Sequence, residues 1–117
     1  MKLIHHTQVP AEVPQEEARG VTVRWVIGQQ DGALNFAMRV FEVEPNGYTP
    51  RHQHPWEHEV FILEGHGQVL GEGKWHDFGP GDVIYIPPQE EHQFRNPSDW
   101  SIKFLCLVPA PAYCGAG

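Results

Sequence analysis

Short apolar runs, each closed by glycine or proline, set the rhythm of this chain. Residues 21–27 (Val-Thr-Val-Arg-Trp-Val-Ile) are β-branched and aromatic and predict a strand. Residues 35–44 predict a second, ended by a turn at Pro45-Asn46-Gly47, and residues 57–63 a third, followed by a turn through Glu64-Gly65-His66-Gly67. Residues 68–70 pair back, Gly71-Glu72-Gly73 turns again, and 74–78 form a short strand. Residues 83–86 lie between the turn Gly79-Pro80-Gly81-Asp82 and the stop Pro87-Pro88. Residues 92–96 and 100–108 complete the set, and 28–32 read as a loop. No long segment has a helical period; residues 15–19 could make one helical turn. About eight short strands with tight turns predict an all-β fold, a small antiparallel β-barrel or jelly roll. Residues 1–20 read as an N-terminal arm, 21–108 as the barrel and 109–117 as an irregular tail.

Composition bounds this further. The 117 residues make one domain, and 12 glycines and 11 prolines suit many turns. A formal charge of -7 with 8 Lys plus Arg excludes the basic surface that a nucleic acid or anionic membrane needs. No apolar run reaches the length of a membrane span, and the first residues lack a signal-peptide pattern, so the expected compartment is the cytoplasm. Two cysteines, Cys106 and Cys114, do not make a disulfide framework. Both are expected as free thiols, Cys114 in a mobile tail.

The chemistry concentrates in Arg51-His52-Gln53-His54-Pro55-Trp56-Glu57-His58, which carries three histidines in seven positions. Residues two apart on a strand share a face, so His52 and His54 can both point inward. His58 keeps that face if the segment stays extended, although Pro50 and Pro55 weaken the parity. His92 opens a later strand and could meet them across the barrel. The bland alternative is a set of surface histidines around a Pro-rich turn. Clustered histidines are better read as metal ligands. Four neutral imidazoles would leave an octahedral ion two open positions, the pattern of a reactive site. Imidazole suits Zn, Mn, Fe, Ni and Cu alike. His5, His6, His66 and His76 fit no such pattern.

Gly47, His52-Gln53-His54, His58 and Gly65 resemble the first motif of the cupins, the double-stranded β-helix family. Gly81, Pro87, Gln89, His92 and Asn96 resemble the second. Two departures stand out. His58 occupies the place of a usual glutamate, with Glu59 one step out of register, and Gln89 the place of a usual glycine. The first departure narrows the resemblance to a small tetrahistidine manganese-binding cupin of a hyperthermophilic bacterium, over most of residues 20–109. That resemblance implies a compact barrel that dimerises and four histidine ligands. It also implies Mn(2+), with Fe, Ni, Cu or Zn possible, and oxidative chemistry with dioxygen or peroxide.

Parity along residues 100–108 points Phe104 and Cys106 inward and Lys103 outward. Cys106 then lies near the metal, as a pocket thiol or as a small buried hydrophobe. Phe94 faces the same pocket. Arg39, mid-strand among apolar residues, either holds an anionic substrate or water or points outward. Trp56 could shield the site or sit at a dimer contact. Leu105 and Leu107, with Trp25 and Val23, are expected to form an outer apolar face buried in a homodimer, or covered by the N-terminal segment.

Three functions remain open, all on a small-molecule partner. The leading expectation is an oxidoreductase of dioxygenase type. A metal-dependent isomerase needs an acid–base pair, and the inward set contains no obvious carboxylate. A small-molecule sensor would bind without turnover.

Overall fold

The computed structural model describes residues 1–110. Eight strands run in chain order: β1 Arg19–Ile27, β2 Phe36–Tyr48, β3 His58–Glu64, β4 Gly67–Gly71, β5 Lys74–Phe78, β6 Val83–Ile86, β7 Gln93–Arg95 and β8 Ile102–Pro109. They form one curled antiparallel sheet ordered β5-β4-β7-β2-β8-β3-β6, with β1 paired to β2. β2 is the spine, because it pairs β1 from Met38 to Tyr48 and β8 from Phe36 to Val43.

Alternation sets the inside of the curl. On β8 the burial pattern alternates at every residue, with Ile102, Phe104, Cys106 and Val108 buried. Val21, Val43, Val60, Ile62, Ile86 and Phe94 join them in the core. Each such side chain contributes roughly 1.5–3 kcal/mol through burial. One buried polar residue ties the strand ends together. Asn96 donates from Nδ2 to the carbonyls of Val43 at 2.9 Å and Trp100 at 2.7 Å, and its Oδ1 accepts from Ser98.

Three expectations are corrected. The turn at Pro45-Asn46-Gly47 is a bulge inside β2, where the register with β1 jumps from Val21↔Val43 to Arg19↔Tyr48. Asn46 takes a φ of 65°, and a Cβ on Gly47 would lie 2.6 Å from the Arg19 carbonyl oxygen, so the chain kinks without leaving the sheet. Residues 15–17 form a bend, not a helical turn; the short 3-10 turns are His6–Gln8 and Gln29–Asp31.

The third correction concerns the outer face. Val23 and Trp25 pair with Phe41 and Arg39 and line the interior. Leu105 and Leu107 do lie outside, half-buried. Their neighbours there are Phe61, Val83 and Tyr85, with Val83 74% exposed. The N-terminal arm covers another part of that surface. Arg24 donates to the Val9 carbonyl and Lys2 Nζ to the Val26 carbonyl at 2.8 Å. No helix of the described residues is long and apolar enough to cross a membrane. Cys114 lies outside the described residues.

Candidate metal centre

The histidine stretch is not a regular strand. It is held by single bridges to the segment that precedes β7. His52 and His92 exchange both backbone hydrogen bonds, at 3.2 and 2.9 Å, and Gln89 N–H donates to the His54 carbonyl at 2.7 Å. Gln89 must adopt a φ of 67° to do so, where the family motif usually has glycine. His58 is the first residue of β3 and pairs with Ile86.

These anchors bring together the four predicted histidines. One ring nitrogen from each of His52, His54, His58 and His92 lies within 4.8 Å of all the others. His54, His58 and His92 are buried and His52 is half-buried. The cluster could hold a metal ion, and its donor chemistry fits one. His52 Nδ1 faces Glu16 Oε2 at 3.1 Å. His54 Nδ1 and His92 Nδ1 donate to the carbonyls of Trp56 and Glu90, each at 2.9 Å. An acceptor on Nδ1 fixes the proton there and leaves the Nε2 lone pair for a metal. The two Nε2 atoms of His54 and His58 are 2.9 Å apart, close to the ~3 Å between neighbouring donors on an ion with bonds of ~2.1 Å.

Electrostatics favour neutral rings. Burial, then the Arg39 guanidinium and the other imidazoles, pushes His58 down to about 2. Burial also pushes His92 down to about 4, against a hydrogen bond to Glu90 that acts the other way, and lowers His54. A neutral imidazole is the form that binds metal.

His58 differs from its neighbours on the Nδ1 side. Arg39 Nη2 lies 3.3 Å from that nitrogen and Cys106 Sγ also 3.3 Å, while Nη2 to Sγ is 3.2 Å. With Arg39 donating to Nδ1, the His58 proton sits on Nε2 and is shared toward His54. A His58 that ligates a metal must carry its proton on Nδ1, where the Cys106 sulfur is the acceptor within reach. Burial raises the Cys106 thiol, partly offset by Arg39.

The cluster opens into a cavity of about 340 Å³. Its wall includes the other predicted residues: Arg39, Phe94, Phe104 and Cys106. Trp56 stacks on the His54 ring at 4.3 Å between centroids and shields it. Parity along β8 and β7 thus placed these side chains correctly, and Arg39 points in. Glu12 and Glu16 also line the cavity, two carboxylates absent from the inward set named from the sequence. Both come from the arm. Glu12 is fixed by reciprocal backbone hydrogen bonds with Val23, each 2.8 Å, and Glu16 by its contact with His52. Only long-range pairing brings them there, so no local pattern announces it. Trp25, Phe41 and Thr49 are among the further lining residues that sequence parity missed.

Comparison with known proteins agrees with this architecture. Residues 39–108 match the family model described as a cupin domain. The chain is 38% identical over 92 residues, 79% of its length, to 1-methylthio-D-xylulose 5-phosphate methylsulfurylase of Rhodospirillum rubrum, and covers 58% of that protein. It is 35% identical over 96 residues, 72% of its length, to glucose-6-phosphate isomerase of Pyrococcus horikoshii, and covers 51% of it. The chain therefore spans little more than half the length of these curated relatives. Among solved structures, the polyketide cyclase RemF of Streptomyces resistomycificus superposes with a TM-score of 0.89 at 41% identity, covering 94% of this chain and 80% of that one. A domain match over most of the barrel, on a curled eight-stranded sheet with both motifs in place, makes this chain a member of the cupin family.

Proposed function

We propose that this protein is a metal-dependent cupin enzyme that moves a proton next to a carbonyl group of a small organic substrate. Isomerisation, cyclisation and dehydration all begin with that step. The observation that carries the reading is the pairing of four imidazoles with two carboxylates, Glu12 and Glu16, around one cavity. A divalent ion bound by His52, His54, His58 and His92 would supply Lewis-acid polarisation of a carbonyl oxygen. Glu16 acts as the general base: it takes the proton from carbon and, now protonated, returns it to a neighbouring atom, with Glu12 beside it in the cavity wall as a hydrogen-bond acceptor for the substrate. Phe94, Phe104 and Trp25 keep bulk water from the reacting carbon. Relatives that carry out isomerisation and polyketide cyclisation support this class.

Oxidation with dioxygen or peroxide, an oxidoreductase of dioxygenase type, is the second reading. The all-imidazole donor set favours it, because four neutral rings leave two positions of a six-coordinate ion open. Manganese is the first ion to test in either case, then Fe, Ni, Cu and Zn. The reducing cytoplasm suits the buried free thiol of Cys106. The outer face of Phe61, Leu105 and Val83 is the surface we assign to a homodimer.

One experiment separates the readings. Metal-loaded protein is incubated in D2O with a panel of β-diketones and α-hydroxyketones, with deuterium exchange followed by NMR and oxygen consumption by electrode. The proposal expects protein-dependent exchange that Glu16→Gln reduces, without oxygen uptake. Oxygen uptake without exchange transfers the case to the oxygenase. Neither signal above free metal contradicts both and leaves a binding protein.

A further inference from the structure

Arg39 is a buried cation without a carboxylate. It is 3% exposed, and no described Asp or Glu lies within ion-pair distance of it. Its guanidinium carbon sits 5.0 Å from the Trp25 ring centroid and 4.9 Å from that of Phe41. Among the described residues both of its hydrogen bonds leave from Nη2, to the His58 ring and the Cys106 sulfur, and its Nε has no partner. A buried charge held only by a ring nitrogen, a sulfur and two aromatic faces is costly unless an anion completes it. Arg39 lines the cavity, so the anion can arrive with a ligand.

The same cavity offers an apolar wall of stacked rings. Phe41 and Phe104 stack 5.0 Å apart with 7° between planes, and Phe94 stacks on Phe104 at 4.5 Å and 22°. All three line the cavity. Their faces meet one another, so the column turns its ring edges to the cavity, and such edges take the face of a conjugated ligand in a T-shaped contact. A sugar phosphate fits poorly. Arg39 is the one Arg or Lys among the described lining residues, and Glu12 and Glu16 would repel a dianion.

We propose that the cavity binds a planar, conjugated organic anion, with its oxyanion (an aryl carboxylate, phenolate or enolate) at Arg39 and its ring against Phe41 and Phe104. This rests on reading the cavity as the substrate site, not on which reaction follows. It sets the ligand class apart from that of the sugar-phosphate relatives. Arg39 thereby becomes a specificity-determining residue, since a site built around one unpaired cation rejects the neutral isostere.

Calorimetry with 2-naphthoate, its neutral isostere 2-naphthamide and glucose 6-phosphate tests it on zinc-loaded and metal-free protein. The metal-free arm removes any contribution of the ion to carboxylate binding. The expected result is that 2-naphthoate binds about tenfold tighter than 2-naphthamide in both forms, as a charge-assisted contact requires. Arg39→Met should erase that preference, read as the acid-to-amide ratio in the metal-free form, and Arg39→Lys should keep part of it. Equal binding of acid and amide by the unaltered protein, which needs no variant to fold, overturns the proposal. So does a preference that survives Arg39→Met, or tighter binding of glucose 6-phosphate. A retained naphthoate preference with no proton exchange would refute the reaction proposed above and leave this site standing.

Discussion

Arg39 and Cys106 face each other directly across the β2–β8 ladder, and Nη2 of the first lies 3.2 Å from Sγ of the second. Both reach His58 Nδ1, so the residue that replaces the usual cupin glutamate is steered by a cation and a sulfur. For the other three histidines the Nδ1 partner is an oxygen.

Cys106 is therefore predicted to orient His58. Cys106→Ala removes the acceptor that a metal-ligating His58 needs, and the metal affinity should fall roughly tenfold. Cys106→Ser restores an acceptor and should recover most of that loss. Competition titration against a chelator reads both. An unchanged affinity in Cys106→Ala would mean that the thiol is only core packing.

Glu16 is predicted to act on His52 in the same way, from an arm far away in sequence. Glu16→Ala should weaken metal binding by several-fold up to about tenfold, and Glu16→Gln by less, because its amide oxygen can still accept from Nδ1. The same titration measures it. Equal affinities for the unaltered protein and Glu16→Ala would show that the contact does not support the ligand.

Acid should destabilise the metal-free protein before its carboxylates titrate. In the folded state His58 is held down to about 2 and His92 to about 4, whereas the unfolded chain protonates both near 6.5. Above about pH 6.5 neither state carries the proton and stability is flat. Below it the unfolded state binds more protons, and each histidine removes up to about 1.4 kcal/mol per pH unit down to about pH 4. Urea melts from pH 7.5 to 5 check this. A midpoint that holds constant across that range would contradict it.

Gln89 pays for its place in the motif with a left-handed backbone, φ 67°. Gln89→Gly should stabilise the fold by about 0.5–1 kcal/mol, the relief of a strain of roughly 1–2 kcal/mol less the added freedom of the unfolded chain. Gly65→Ala should do the reverse, because its φ is 84° and a Cβ would lie 2.5 Å from the Ser101 carbonyl oxygen. Thermal melts at fixed metal occupancy would show either effect; a lower melting temperature for Gln89→Gly would refute the strain argument.

The parts of this site that could be read from sequence are those where a two-residue period survives. Phe94, Phe104 and Cys106 point inward because β7 and β8 are regular. Where the period breaks, the reading failed. Pro45-Asn46-Gly47 looked like a turn, yet the sheet pairs around it as a bulge. Trp25 is a different case: β1 keeps its period from Val21 to Trp25, and the expectation took the wrong face of that strand as the outer one. Glu12 and Glu16 sit in a stretch with no period at all, and only contacts with Val23 and His52 carry them to the cavity. Those two carboxylates shifted the functional reading from oxidation toward proton transfer.

The central claim is that four imidazoles hold one ion. Metal analysis of protein expressed in plain medium, with and without His58→Ala, tests it most directly. The account predicts close to one divalent ion per chain, a marked loss in His58→Ala and partial recovery in His58→Glu, which rebuilds the commoner carboxylate ligand. The same metal content in His58→Ala as in the unaltered protein would contradict it.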